Sequence, residues 1–145
     1  FKDQEYFLES LFQGSKIFAD QGPNEDIYEK SSIDAKKDER IKRSDLKEFS
    51  FFGEIFSLDF DFYSWLYFIA LNQNKKLKTE ILNYEAFTDI EFNPEKSLNC
   101  QAYSAALYSS MVKNKILVND KEYDIGELKN LMPSKKIKNY QQKLI

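Results

Sequence analysis

Histidine is absent from this chain of 145 residues. That removes Ser-His-Asp and Cys-His catalysis and every histidine-ligated metal site. The single cysteine, Cys100, has no partner for an internal disulfide and is too few for a zinc site, which suits a reducing compartment. Four scattered glycines leave no glycine-rich loop to cradle a phosphate. No apolar run approaches the roughly 20 residues that cross a bilayer, and no signal-peptide pattern is visible. A cytoplasmic protein is therefore expected. The net charge of −3 argues against a nonspecific nucleic-acid coat while leaving room for a local basic patch. The side chains left for chemistry are carboxylates, lysine, amides and tyrosine. Cleavage of a glycosidic bond suits that inventory, because a carboxylate stabilises the oxocarbenium character of its transition state.

What the chain has in quantity is aromatic residues: 13 Phe and 9 Tyr, enough for an unusually aromatic core in one domain of this length. Periodicity predicts a helix from about Gln4 to Phe18, stopping before Gly22-Pro23. An acidic, turn-rich segment follows from Asp20 to Ser32, then a charged helix or turn from Ala35 to Arg43. Phe49 to Leu58 reads as a β-hairpin about Gly53-Glu54. Acids at Asp59 and Asp61 offer N-caps for a core helix through Leu71 that is apolar nearly all round. A helix from Lys76 to Tyr84 should pack Leu77, Ile81 and Leu82 against it. The loop from Glu85 to Leu98 is long enough to be functional. A helix from Asn99 to Lys113 offers Ala102, Ala105, Ala106 and Tyr108 as a close-packing face. Ile116 to Ile125 reads as a terminal hairpin, followed by a basic tail over residues 133–145. The expected fold class is mainly α (α+β): a single compact helical domain over residues 1–145 with one or two short β-hairpins. The chain starts at Phe1, and we expect it to be truncated at its N-terminus.

At about 100° per residue, Glu9, Gln13 and Lys16 fall within about 60° of each other on the first helix. Tyr6, Phe12 and Ile17 flank that stripe. A carboxylate, an amide and an amine thus line either a partly enclosed wall or a solvent-facing stripe. In the first case burial would shift the amine or carboxylate toward a catalytic pKa.

Four blocks together resemble the NADAR superfamily, and in particular its branch of antitoxins associated with DarT-type toxins that ADP-ribosylate guanine. They are Glu9-Ser10-Leu11-Phe12-Gln13-Gly14-Ser15-Lys16; Gly22-Pro23-Asn24-Glu25-Asp26 with Ala35-Lys36-Lys37-Asp38-Glu39-Arg40; Phe62-Tyr63-Ser64-Trp65-Leu66-Tyr67; and the stretch from Ala86 to Ala102. In order and spacing they cover roughly Glu9 to Leu107. Gln21-Gly22-Pro23 stands where the family pattern has Gly-Gly-Pro, and the family's upstream Ser-Asn-Phe segment has no counterpart here.

The resemblance implies an N-glycosidase that removes ADP-ribose from guanine in single-stranded DNA or RNA, with no cofactor, as antitoxin to a DarT-type partner. Glu9 would orient water or stabilise the ribosyl cation. Lys16 would attack the anomeric carbon or contact a phosphate or ribose hydroxyl. Asp89 is the third catalytic candidate. Substrate binding would fall to Gln13, Asp26, Trp65, Glu91, Asn99 and Gln101. Asp89 and Glu91 point to opposite faces of an extended loop, so one enters the pocket. The alternative for either is an exposed cap on the next helix. Asn99 and Gln101 open that helix, where a phosphate is favoured, and Asn99 alone would equally be an N-cap. Trp65 either stacks on a base or fills the core. Lys36, Lys37 and Arg40, with Lys42 and Arg43, would grip a nucleic-acid backbone or form a solvated connector. Two other readings keep the fold: an N-glycosidase acting on a small ribosylated metabolite, and an ADP-ribose-binding module without catalysis.

Overall fold

The computed structural model describes residues 4–89 and 101–133. Within them lie six α-helices and one three-stranded antiparallel sheet, an α+β architecture. The first helix, α1 (Leu8–Gly14), is half the length the periodicity predicts. It stops because the sheet captures the chain. The Ser15 carbonyl accepts from the Ser50 N–H at 2.7 Å, and strand β1 (Lys16–Phe18) begins at once, with Lys16 opposite Phe49. Ladder bonds thus replace the helical ones. Gly14 makes the junction possible, since a Cβ there would lie 2.7 Å from two ring carbons of Tyr28 and 2.9 Å from the Asn24 carbonyl. Gly14→Ala is expected to destabilise the fold by about 1–3 kcal/mol through overpacking, measurable as a lower urea midpoint with an unchanged slope.

Strand β2 (Leu46–Phe51) is central, between β1 and β3 (Glu54–Ser57). The β2–β3 turn is Phe52-Gly53, one residue earlier than expected. Both have positive φ, +47° and +89°, the pairing that matches strand twist in a two-residue hairpin. There is one hairpin among the described residues; the predicted second one over Ile116–Ile125 is replaced by a loop. Asp124 instead caps α6 (Ile125–Leu131) in a reciprocal box with Glu127, and Asn72 pins the loop by bonding both the N–H and C=O of Tyr123.

Between β1 and β2, a 3₁₀ turn (Glu25–Glu29) and α2 (Ser32–Lys37) pack on α1, and a second 3₁₀ turn (Glu39–Ile41) follows α2. The central element is α3 (Phe62–Gln73), capped by Asp61, whose carboxylate accepts from the Ser64 N–H. Its Phe62, Trp65 and Phe68 are essentially solvent-free among Phe49, Phe51, Phe56 and Tyr108. In α4 (Lys75–Glu80) the expected Leu77 contact is not made. Leu77 is half exposed and Lys78 is buried instead, its Nζ donating to the Lys121 carbonyl at 2.6 Å. That bond satisfies a charge that burial would otherwise expel, and desolvation lowers the Lys78 pKa. Helix α5 (Gln101–Lys113) buries Ser104, Ala105, Tyr108 and Met111, while Ala106 faces out. No helix of the described residues is long and apolar enough to cross a membrane. The basic tail from residue 134 lies outside the described residues.

Candidate functional site

Glu9 and Gln13 sit one turn apart on α1, and the Gln13 Nε2 donates to Glu9 Oε1 at 2.7 Å. Both are enclosed, with the Glu9 side chain 13% exposed and Gln13 8% exposed. The solvent-facing alternative is therefore excluded for these two residues. Lys16 is not on that helix, so the shared-face argument from helical spacing fails for it. It reaches the same place from β1, laying its amine 5.2 Å from the centre of the Phe12 ring. Burial lowers its pKa to about 8, and the attraction of Glu9 only partly opposes this. Lys36, on α2, reaches in from solvent to 3.7 Å from Glu9 Oε2.

A second wall comes from α3, the segment before residue 90 and the start of α5. Tyr63 stands edge-on to Phe12 with ring centres 5.0 Å apart. Burial pushes its phenol up to about 12, reinforced by Glu9 and opposed by a hydrogen bond with the Gln101 side chain. Tyr67, one turn on, is also raised, by burial and then by Asp89. Asp89 Oδ1 accepts from the Ala102 N–H at 3.2 Å, the helix-capping contact that its place in the sequence allows. Its Oδ2 is buried with no hydrogen-bond partner, as is Gln13 Oε1.

The structure thus groups Glu9, Gln13, Lys16, Asp89 and Gln101, with Lys36 at the edge. Tyr63 and Tyr67 join them, although the sequence does not single them out as site residues. Their signal is present all the same: two phenols four residues apart, on one face of a helix too apolar to show a face by hydropathy. Other candidates lie elsewhere. Trp65 is 1% exposed, packed on Phe56 at 4.8 Å, and its indole N–H donates to the Ile125 carbonyl. It is core and cannot stack on a base. Asp26 is exposed and held by both terminal nitrogens of Arg40, at 3.1 and 2.7 Å. Arg40 is occupied in turn by Asp38, to which its Nε and a terminal nitrogen donate at 2.9 and 2.8 Å. These bonds, joined by Lys30 at 2.7 Å from the same carboxylate, hold Asp38 well below the usual range.

Arg40 is therefore a structural clamp between the two 3₁₀ turns, and neither it nor Asp26 is set to meet a ligand. Lys42 and Arg43 are likewise paired, with Glu39 and with Asp20 and Asp45. Lys36 and Lys37 remain as exposed cations of the basic run. Glu91 and Asn99 lie outside the described residues. Among the described residues no cluster of acids and thiols is grouped to hold a metal ion.

A family model described as the DarT1-associated NADAR antitoxin matches residues 1–142 of the chain. No curated protein matches it.

Proposed function

Because this chain belongs to the DarT1-associated NADAR antitoxin family, we propose that it reverses the toxin's modification by hydrolysing the bond between ADP-ribose and guanine. The observation that carries the reading is the enclosed pair of Glu9 and Lys16, a carboxylate beside an amine whose pKa burial has brought to about 8. As the bond from C1 of the ribose to guanine breaks, positive charge develops on the sugar, and the Glu9 carboxylate stabilises it. The lowered basicity of Lys16 supports direct participation. Its neutral amine attacks C1; guanine leaves with the electron pair of the broken bond and takes up the proton the amine loses. Water then displaces the lysine, placing a hydroxyl on C1 and returning the proton to the amine. Asp89, Gln13 and Gln101 hold the substrate. The testing experiment is release of ADP-ribose from a guanine-ADP-ribosylated single-stranded oligonucleotide. Binding of ADP-ribose without release would identify a binding module instead.

The basic run supports a narrower nucleic-acid contact than its composition suggests. Neutralising Lys36 and Lys37 is expected to flatten the salt dependence of oligonucleotide binding by about 0.7 per lost phosphate contact, while Arg40→Ala leaves the slope unchanged. Fluorescence anisotropy across a salt series reads this directly. The ion pairing of Arg40, Lys42 and Arg43 favours a second reading, a small ribosylated metabolite as substrate. A slope indifferent to Lys36 and Lys37 would select it.

A further inference from the structure

Two buried acceptors of the site have no donor. Gln13 Oε1 and Asp89 Oδ2 lack any hydrogen-bond partner, a condition native proteins seldom keep without a reason. Neither side chain is loose. Gln13 is tied by its Nε2 to Glu9 at 2.7 Å, and Asp89 by its Oδ1 to the Ala102 N–H at 3.2 Å. Each is held so that one acceptor is left over.

Tyr63 links the two. Its ring meets Phe12, the neighbour of Gln13 on α1, and its hydroxyl is hydrogen-bonded with Gln101, the neighbour of Ala102. One phenol thus stands between the leftover acceptors.

A ligand that completes this arrangement must bring at least two donors close together. Ionised Asp89 can only accept, so a phosphate, itself an acceptor, does not fit. A vicinal diol does. Gln13 is bonded to Glu9, so its free oxygen lies one group away from the carbon that reacts. In a ribosyl substrate, the donors in that position are the hydroxyls on the two carbons after C1. We propose that Gln13 and Asp89 bind the adjacent 2″ and 3″ hydroxyls of the ribose attached to guanine, with the Tyr63 hydroxyl as the positioning group between them. This rests on the ribosyl-guanine reading and names the part of the substrate the site selects: a ribose with both hydroxyls free.

Calorimetric binding of ADP-ribose to the whole chain tests this without turnover, alongside analogues lacking the 2″ or the 3″ hydroxyl. Removing either hydroxyl is expected to weaken binding about tenfold or more. Asp89→Asn keeps an oxygen for the Ala102 N–H but presents a donor in place of Oδ2. It should weaken ADP-ribose binding by a similar factor and leave one of the two analogues no weaker than with the parent. Tyr63→Phe should lower affinity for ADP-ribose more than for either analogue. Equal binding of all three ligands by the parent, or no binding of ADP-ribose, overturns the assignment. So does an Asp89→Asn chain that loses the same factor on every ligand, the mark of a structural defect. Hydroxyl-dependent binding with no release from the oligonucleotide would leave the diol subsite standing and remove the hydrolase reading alone.

Discussion

Glu9→Gln is expected to reduce ADP-ribose release by about 10²- to 10⁴-fold while leaving the melting temperature within a few degrees. The substitution preserves shape and the oxygen that accepts from Gln13 Nε2, so α1 keeps its internal bond. What it removes is the negative charge. That charge faces the Lys16 amine, lies 3.7 Å from Lys36, and would meet the cation that forms on the sugar. Its loss acts on the transition state more than on the ground state, so kcat should fall with little change in KM. Single-turnover release on the modified oligonucleotide, paired with a thermal melt, separates chemistry from folding. A variant keeping more than about a tenth of the parent rate would take Glu9 out of the central step.

Lys16→Met is expected to do the opposite to stability: the protein becomes more stable as it becomes inactive. A lysine whose pKa falls from 10.5 to about 8 on folding is being held against its preference for charge. Below pH 8 it is protonated in both states, and the folded protein carries the full desolvation cost, at most about 3 kcal/mol by the size of the shift. From pH 8 to 10.5 the unfolded chain binds more protons than the folded one, so parent stability rises with pH and the advantage of the variant shrinks. Methionine also keeps an apolar, polarisable side chain against the Phe12 ring. Activity has a matching profile. If the neutral amine reacts, parent kcat/KM climbs with pH up to about 8 and then levels. Urea melts of parent and variant at pH 7 and pH 10 read the first effect. A stability gap that does not narrow between those two points would mean Lys16 is not desolvated.

Much of this site can be read from the sequence, for reasons particular residues make plain. Glu9 and Gln13 are one turn apart whatever ends the helix, so their contact survives its shortening to Leu8–Gly14. Asp61 is an N-cap by chemistry alone and caps α3. The failures come where tertiary partners decide. A 3.6-residue period carries Lys16 onto the first helix, yet the hydrogen bonds on offer after Gly14 belong to β2. Leu77 and Lys78 exchange expected places because the Lys121 carbonyl gives the amine a partner that local pattern cannot reveal. The same is true of Arg40, whose charge is spent on Asp26 and Asp38. Tyr63 is hidden in the sequence because α3 is apolar on every side, so periodicity carries no information about which face it turns to α1.

The passage from α1 to β1 through Gly14 and Ser15 also works as a ruler. On a helix, inserting or removing a residue rotates every later side chain by about 100°; on a strand it sends each of them to the opposite face. Glu9 and Lys16 are measured by the first rule up to Gly14 and by the second after it. The two residues between Gln13 and Lys16 therefore set a length rather than a chemistry. A drift of one position in that short span would leave every side chain of the pair present and place the amine on the wrong side of the sheet.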